Sequence, residues 1–474
     1  MSLSVLEVMS ILRPMEQNLA RLGLPAYSRS NDDEVWQKWL DSLASLLVGS
    51  SPTSSNQVCA VSLSLLQSRC IMTIAFNVRP TRSGDVPKLV HSIWNWMKDA
   101  SVLPGEDSKK NGELFEIILE ASLDRIRRRL KDKGKFVGPL IAKAEEANLT
   151  GLQKTFLMTA HLLHVDILQR LGPDVEKPDF RMASKAFRFR VKAYEAAKSK
   201  LEDFYWLHPF ESQMAKSGAK LPSLVRYVDK LQKPYSQYVL IRKAVRKSFI
   251  RDVLSIPLHV NVLPSPDPAP GSAFQSMVNF ETRVRSYLTR ALLSYSADAA
   301  GSSFAEGAID SFWHRIQKVA DANQGQLPPL LAVYCECTLL CHHLDLHLHD
   351  IATSTPEGRT PYPYFGVSKL SCFQCALYFQ AYRACELGPS FQTRGSHAEV
   401  FACALPACDR GHDKTDEAIG NEMGAQLENI IGQLLAVEIN GRRKMSLSSI
   451  DSTGSSPPSD EEYVDVLKTR MYQP

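Results

Sequence analysis

Long apolar runs are missing from this chain. None reaches the ~18 residues that a helical bilayer crossing needs, and the nearest approach, Val58 to Leu66, is soon ended by Arg69. Also missing is a basic stretch leading into an apolar core at the start, where Met1-Ser2-Leu3-Ser4-Val5-Leu6-Glu7 stands. No secretory signal is therefore read, and a cytoplasmic or nuclear location with no membrane partner is expected. Charge excess is absent too: 55 Lys and Arg against 51 Asp and Glu leave a net +4. That balance permits a nucleic-acid partner without arguing for one. Cysteine is scarce outside one stretch, since eight of the ten fall between Cys335 and Cys408. Without an oxidising destination, clustered cysteines read as metal ligands or buried thiols rather than disulfides.

What is present is ordinary globular material. The 474 residues, 44% hydrophobic and 22% charged, are enough for two or three domains with ample core. From Met1 to about Lys230 apolar residues recur at three- and four-residue intervals, which predicts helices at Val5 to Leu22, from Asn31 onward, at Glu113 to Lys131 and at Gly151 to Leu171. Few strand-like alternations interrupt them. Two basic clusters lie here, Arg125 to Arg129 and Arg181 to Lys192. Arginines interleaved with Phe187 and Phe189 could hold a phosphate backbone and stack bases. The plainer expectation is a solvated face of Arg127, Arg128 and Lys131, with Ile126, Leu130, Phe187 and Phe189 in the core.

Further on, Pro257-Leu258-His259-Val260-Asn261-Val262 predicts a strand that could open a sheet. The prolines from Pro264 to Pro270 make a loop, and helices are expected at Phe274 to Leu293, Ala305 to Ala322 and Leu330 to Asp350. On the last of these, His343 and His347 stand four apart, the spacing that presents two imidazoles to one metal, although solvent-facing histidines are the plainer reading. A short strand is predicted at Tyr364 to Val367 and a helix after Cys372. Asp413 to about residue 440 reads as a last helix. The Ser-rich stretch from Gly441 to the end reads as a disordered tail with weak matches to kinase sites.

The most informative residues are Tyr334-Cys335-Glu336-Cys337, then Gly366-Val367-Ser368-Lys369-Leu370-Ser371-Cys372 with Cys375, then Thr393-Arg394-Gly395-Ser396-His397. Together these resemble the fungal branch of the nucleic-acid and nucleotide deaminase superfamily, the group named for an Orientia toxin-like deaminase. The resemblance covers about Leu330 to Cys408. It implies a zinc ion held by Cys372, Cys375 and a histidine two residues before a glutamate, with Glu336 as the catalytic proton carrier. This sequence has Tyr334 at the expected histidine position, and a neutral phenol is a poor zinc ligand beside imidazole or thiolate. Cys337, Cys341, His342 and His397 are candidates to replace it.

Tyr364 could line the mouth of a pocket, although packing beside a strand is the plainer reading. The resemblance places the loop of Thr393 to His397 near the site, with Arg394 and His397 as candidate substrate-binding residues, and implies a nucleobase in a nucleotide or nucleic acid as substrate. Read from the residues alone, Arg394 suits a phosphate, while Gly395 and Ser396 equally suit a tight turn. The fold class expected is α+β. A mainly helical region (1–230) precedes a three-layer α/β/α deaminase-like domain with a mixed sheet (231–412, motif core 330–400), a C-terminal helix (413–440) and the tail (441–474). Two alternatives stay open: a catalytically inactive deaminase-fold binding protein, and a structural zinc site of Cys335, Cys337, Cys372 and Cys375. The protein partner of the helical region is unspecified.

Overall fold

The computed structural model describes residues 8, 12, 31–49, 57–78, 85–102, 108–215, 223–264, 280–301, 303–322, 334–353, 360–396 and 413–451. Numbering the helices of twelve residues or more, these are α1 Asn31–Gly49, α2 Asp85–Ser101, α3 Ser108–Lys133, α4 Gly151–Leu171, α5 Phe180–Lys198, α6 Lys233–Ala244, α7 Phe280–Tyr295, α8 Ala305–Ala322, α9 Cys335–Thr353, α10 Phe373–Ala384 and α11 Asp413–Asp451. The strands are β1 Cys59–Leu65, β2 Cys70–Phe76, β3 Leu258–Val262, β4 Thr360–Pro361 and β5 Gly366–Val367. The class is α+β. None of the described helices is long and apolar enough to cross a membrane.

The chain divides into two compact units, one of residues 15–272 with 329–423, the other of 1–14, 273–328 and 424–474. This grouping departs from the expected break near residue 230, because the sheet draws strands from both sides of it. β1 and β2 form an antiparallel hairpin, and β2 pairs in parallel with β3. On its other side β1 pairs antiparallel with β4 and then β5. Cys59 N–H donates to Ser368 Oγ at 2.9 Å, and Ser368 N–H returns a bond to the Cys59 carbonyl at 2.9 Å.

The N-terminal region is mainly helical as expected, and the hairpin is the strand element within it that periodicity did not predict. In β1 the alternation Val61-Ser62-Leu63-Ser64 is a strand pattern that the small serines disguise as part of an apolar run. β2, Cys-Ile-Met-Thr-Ile-Ala-Phe, is nearly continuous because both its faces are covered. The predicted strand at 257–262 is present as β3, at the sheet's edge.

One face of the sheet presents Val61, Leu63, Met72 and Ile74 to Trp39 and Leu43 of α1 and Trp94 of α2. The indoles of Trp36 and Trp39 meet edge to face at 5.1 Å, and Trp39 lies 6.1 Å from Trp94. That core continues through Phe115 and Ile118 of α3, Phe156 of α4 and Phe187 of α5. The opposite face lies under α9, where His343 Nε2 meets Ser62 Oγ at 2.8 Å. Helices on both faces give the three layers.

Helix α1 also fixes β5. Asp41 accepts from the Val367 N–H at 2.9 Å and the Tyr364 hydroxyl at 3.0 Å. Gly366 lets the backbones touch, since a Cβ there would fall 2.3 Å from the Leu40 carbonyl carbon.

Helix α4 starts where expected. Thr150 Oγ1 accepts from the Gln153 N–H at 3.3 Å while Gln153 Oε1 accepts from the Thr150 N–H at 2.9 Å, a reciprocal cap. On α3, Ile126 and Leu130 are core as expected, but the neighbouring arginines are more than a solvated face. Arg125 donates to the Ser45 carbonyl at 2.9 Å and to Gln237 at 3.4 Å, and Arg127 donates to the Val175 carbonyl. Phe187 is buried, whereas Phe189 is 67% exposed, contrary to expectation, because two residues along a helix turn a side chain about 200° away. Arg190 covers the exposed ring at 5.6 Å.

In the other unit, α7 and α8 are joined by Arg285, which bonds Glu281 and Asp310. Arg290 and Arg315 pair with Glu428 and Glu438 of α11, and Phe312 is buried. Helix α11 runs to Asp451, into the stretch expected as tail from 441. Residues 452–474 lie outside the described residues.

Candidate functional site

Two helix starts build the site. Tyr334 stands just ahead of α9, half-buried, its carbonyl accepting from the Thr338 N–H at 3.0 Å. The next three residues, Cys335, Glu336 and Cys337, are all buried. At the start of α10, Cys372 is the N-cap, with Sγ 3.4 Å from the Cys375 N–H it accepts from. The two thiols lie 3.3 Å apart. Cys335 donates its S–H to Glu336 Oε2 at 3.2 Å.

Electrostatics follow from this crowding. Burial pushes the Glu336 carboxyl above its ordinary range and Cys372 adds to that, while hydrogen bonds from Cys335 and Cys375 partly oppose it. A hydrogen bond with Cys375 pulls Cys337 down, but burial and the nearby Glu336, Cys372 and Cys341 outweigh it and leave the thiol at about 11. Burial also raises Cys335, helped by Glu336 and Cys59. The described cysteines are all free thiols, and these neutral forms suit a buried pocket.

The structure therefore brings Glu336, Cys372 and Cys375 together. It does not complete a metal site: among the described residues no group of three or more His, Cys, Asp or Glu side chains is placed to hold a metal ion. Cys337 bonds Cys375 beside Cys372, yet these thiols and Tyr334 do not converge on one point as a zinc ion requires. The four-cysteine zinc alternative falls under the same finding. The imidazole pair of α9 is not a second metal site either. His343 bonds Ser62 and stacks on Phe365 at 5.5 Å, whereas His347 lies against Gly388.

Tyr364, a candidate for the mouth of a pocket, is instead 2% exposed and donates to Asp41, a core role that its place beside β5 imposes. Arg394 is exposed on a loop secured to the start of α10, where the Ser371 N–H donates to the Gly395 carbonyl at 2.9 Å and the Ser371 hydroxyl to Thr393 at 3.0 Å. Gly395 has φ of 116°, so the turn does need its glycine. His397 lies outside the described residues. Sequence reasoning missed Lys233 at the start of α6, which burial together with Arg125, Arg129 and Arg394 holds down at about 8 against the pull of Asp41. Basic residues far apart in the chain carry no signal of such convergence.

Against known proteins, residues 333–404 match a family model described as OTT_1508-like deaminase. Residues 333–404 thus match the Orientia toxin-like deaminase group. No curated protein and no solved structure matches the chain significantly. The deaminase-like segment contains Glu336, Cys372 and Cys375, but its sheet depends on β1 and β2, which lie outside the matched residues.

Proposed function

We propose that the deaminase-like segment acts on a nucleobase carried by a nucleotide or nucleic acid, with Glu336 as its proton carrier. The observation that carries this reading is the Glu336 carboxyl, buried against Cys372 and Cys375 and raised above its ordinary range. A carboxyl whose protonated form burial favours can give that proton to a ring nitrogen of the base. It can then take a proton from the attacking water and pass it to the leaving amine, which departs as ammonia. Arg394, exposed on the loop bonded to Ser371 beside Cys372, supports a substrate bearing phosphate.

Cys372 and Cys375, as thiolates, are of the type that holds zinc, and zinc when bound would activate the water. The described residues supply no third ligand, so no step is drawn through the ion. Tyr334, half-buried at the expected histidine position, favours a second reading in which the segment binds a base without deaminating it.

The test is ammonia release by the full chain from a panel of nucleotides and short oligonucleotides, with zinc content measured alongside. The catalytic reading expects release that Glu336→Gln lowers by about 10²-fold or more, and that Tyr334→His leaves unchanged or raises. About one zinc per chain, lost in Cys372→Ala/Cys375→Ala, would mark a metal-dependent reaction. If neither the natural chain nor Tyr334→His releases ammonia, the catalytic reading falls and base binding without chemistry stands.

A further inference from the structure

The sheet face under α9 is unlike the face of a closed core. Strand register sets Ser64, Ile71 and His259 in one row across β1, β2 and β3, and Ser62, Thr73 and Asn261 in the next. A central sheet face covered by a helix ordinarily carries Val, Ile and Leu, and buried hydroxyls cost stability unless they find partners. Ser62 finds one in His343, whose ring is held between Phe365 at 5.5 Å and Phe391 at 5.1 Å. Beyond that bond the helix and the sheet separate.

The gap is a cavity of about 170 Å³, lined among others by Arg69, Thr73, His259, Asn261, His342 and His343. No acidic residue lines it. Arg69 comes from the hairpin turn, whose Leu66 N–H donates to the Arg69 carbonyl at 2.9 Å, and both Arg69 and His259 are exposed at its rim. His342 meets His343 edge to face at 5.7 Å. Its lining sets a guanidinium, three imidazoles, an amide and hydroxyls beside the apolar side chains of Ile71 and Leu346, with no carboxylate. One water needs about 10–15 Å³ of such space, so the cavity has room for a tetrahedral oxyanion. Seven residues of α9 separate His343 from Glu336, roughly 10 Å at the helical rise, so this is a second place on the sheet.

We propose that this cavity binds the phosphate group of a small phosphorylated molecule, with Arg69 and His259 at its mouth and His342, Asn261 and Thr73 within, while His343 stays bonded to Ser62. A guanidinium fork matches a phosphate's paired oxygens, and charge-assisted bonds of this kind are the strong ones. The site does not rest on the deaminase reading and stands whether or not the chain releases ammonia.

Isothermal titration of the full-length chain with inorganic phosphate, glycerol 3-phosphate and malonate tests it. The expected result is saturable binding of both phosphates and weaker binding of malonate. Arg69→Ala and His259→Ala should each weaken phosphate binding by about tenfold or more. Both side chains are exposed, so neither change threatens the fold, and Arg181→Ala, which removes an exposed cation of α5, should leave binding unchanged. The proposal is overturned by no binding at about 20 mM phosphate, by malonate binding more tightly than either phosphate, or by affinity indifferent to both Arg69→Ala and His259→Ala.

Discussion

The two faces of one small sheet differ as much as any two parts of this protein. On the face toward α1 and α2, Val61, Leu63, Met72 and Ile74 meet three tryptophans and merge into a core that reaches α5. On the face toward α9, the alternate residues of the same strands are Ser62, Ser64, Thr73, His259 and Asn261, and the layers leave a cavity. Period-two geometry lets one strand carry both assignments, stability on one side and recognition on the other. The candidate proton carrier Glu336 lies on the helix that covers the second face.

The largest break in this comparison is expected at Gly366. Its missing Cβ would lie 2.3 Å from the carbonyl carbon and 2.6 Å from the carbonyl oxygen of Leu40, both backbone atoms that cannot step aside. Gly366→Ala should cost about 3 kcal/mol or more, or prevent folding, as read by urea unfolding.

Next comes acid, which attacks the apolar side. His164 is buried in that core with Nδ1 2.9 Å from the Tyr227 hydroxyl, and burial, with His161, lowers its pKa to about 4. The unfolded imidazole takes its proton near its ordinary 6.5, whereas the folded one waits until about 4. The unfolded state therefore binds more protons across that window, and stability falls as pH drops through it, by about 2–3 kcal/mol in all. Unfolding midpoints measured from pH 7.5 to 4 should show this slope, and His164→Gln should flatten it.

The smallest effect sharpens the contrast on the other face. Ser62→Ala removes the oxygen facing His343 Nε2 and should cost about 1–2 kcal/mol. A double-mutant cycle with His343→Phe should recover part of that loss, about 1 kcal/mol of coupling, because the imidazole is then no longer left without its hydroxyl.

Much of the candidate site was legible before the fold. Glu336 beside Cys335, and Cys372 three residues from Cys375, are local patterns whose helix starts follow from spacing, and they meet in the fold. Helices α3 and α4 were equally readable from periodicity. The hairpin was not, because the serines of β1 and the continuous apolar run of β2 hide the alternation that marks a half-buried strand. The burial of Tyr364 was hidden for another reason: it depends on Asp41, 323 positions earlier. The gathering of Lys233 with Arg125, Arg129 and Arg394 likewise depends on long-range packing, which local pattern does not encode. Phe189 shows the opposite failure, an aromatic assigned to the core by type although its neighbour Phe187 had already taken the inward position.

The bonds between Cys59 and Ser368 join residues 309 positions apart. During translation at about 5–20 residues per second, the hairpin leaves the ribosome some 15–60 s before the strand that covers its edge exists. Through that interval an apolar strand with unpaired backbone groups is open to other nascent chains. Fragments ending before residue 360, in which β1 keeps that edge open, should therefore collect in aggregates.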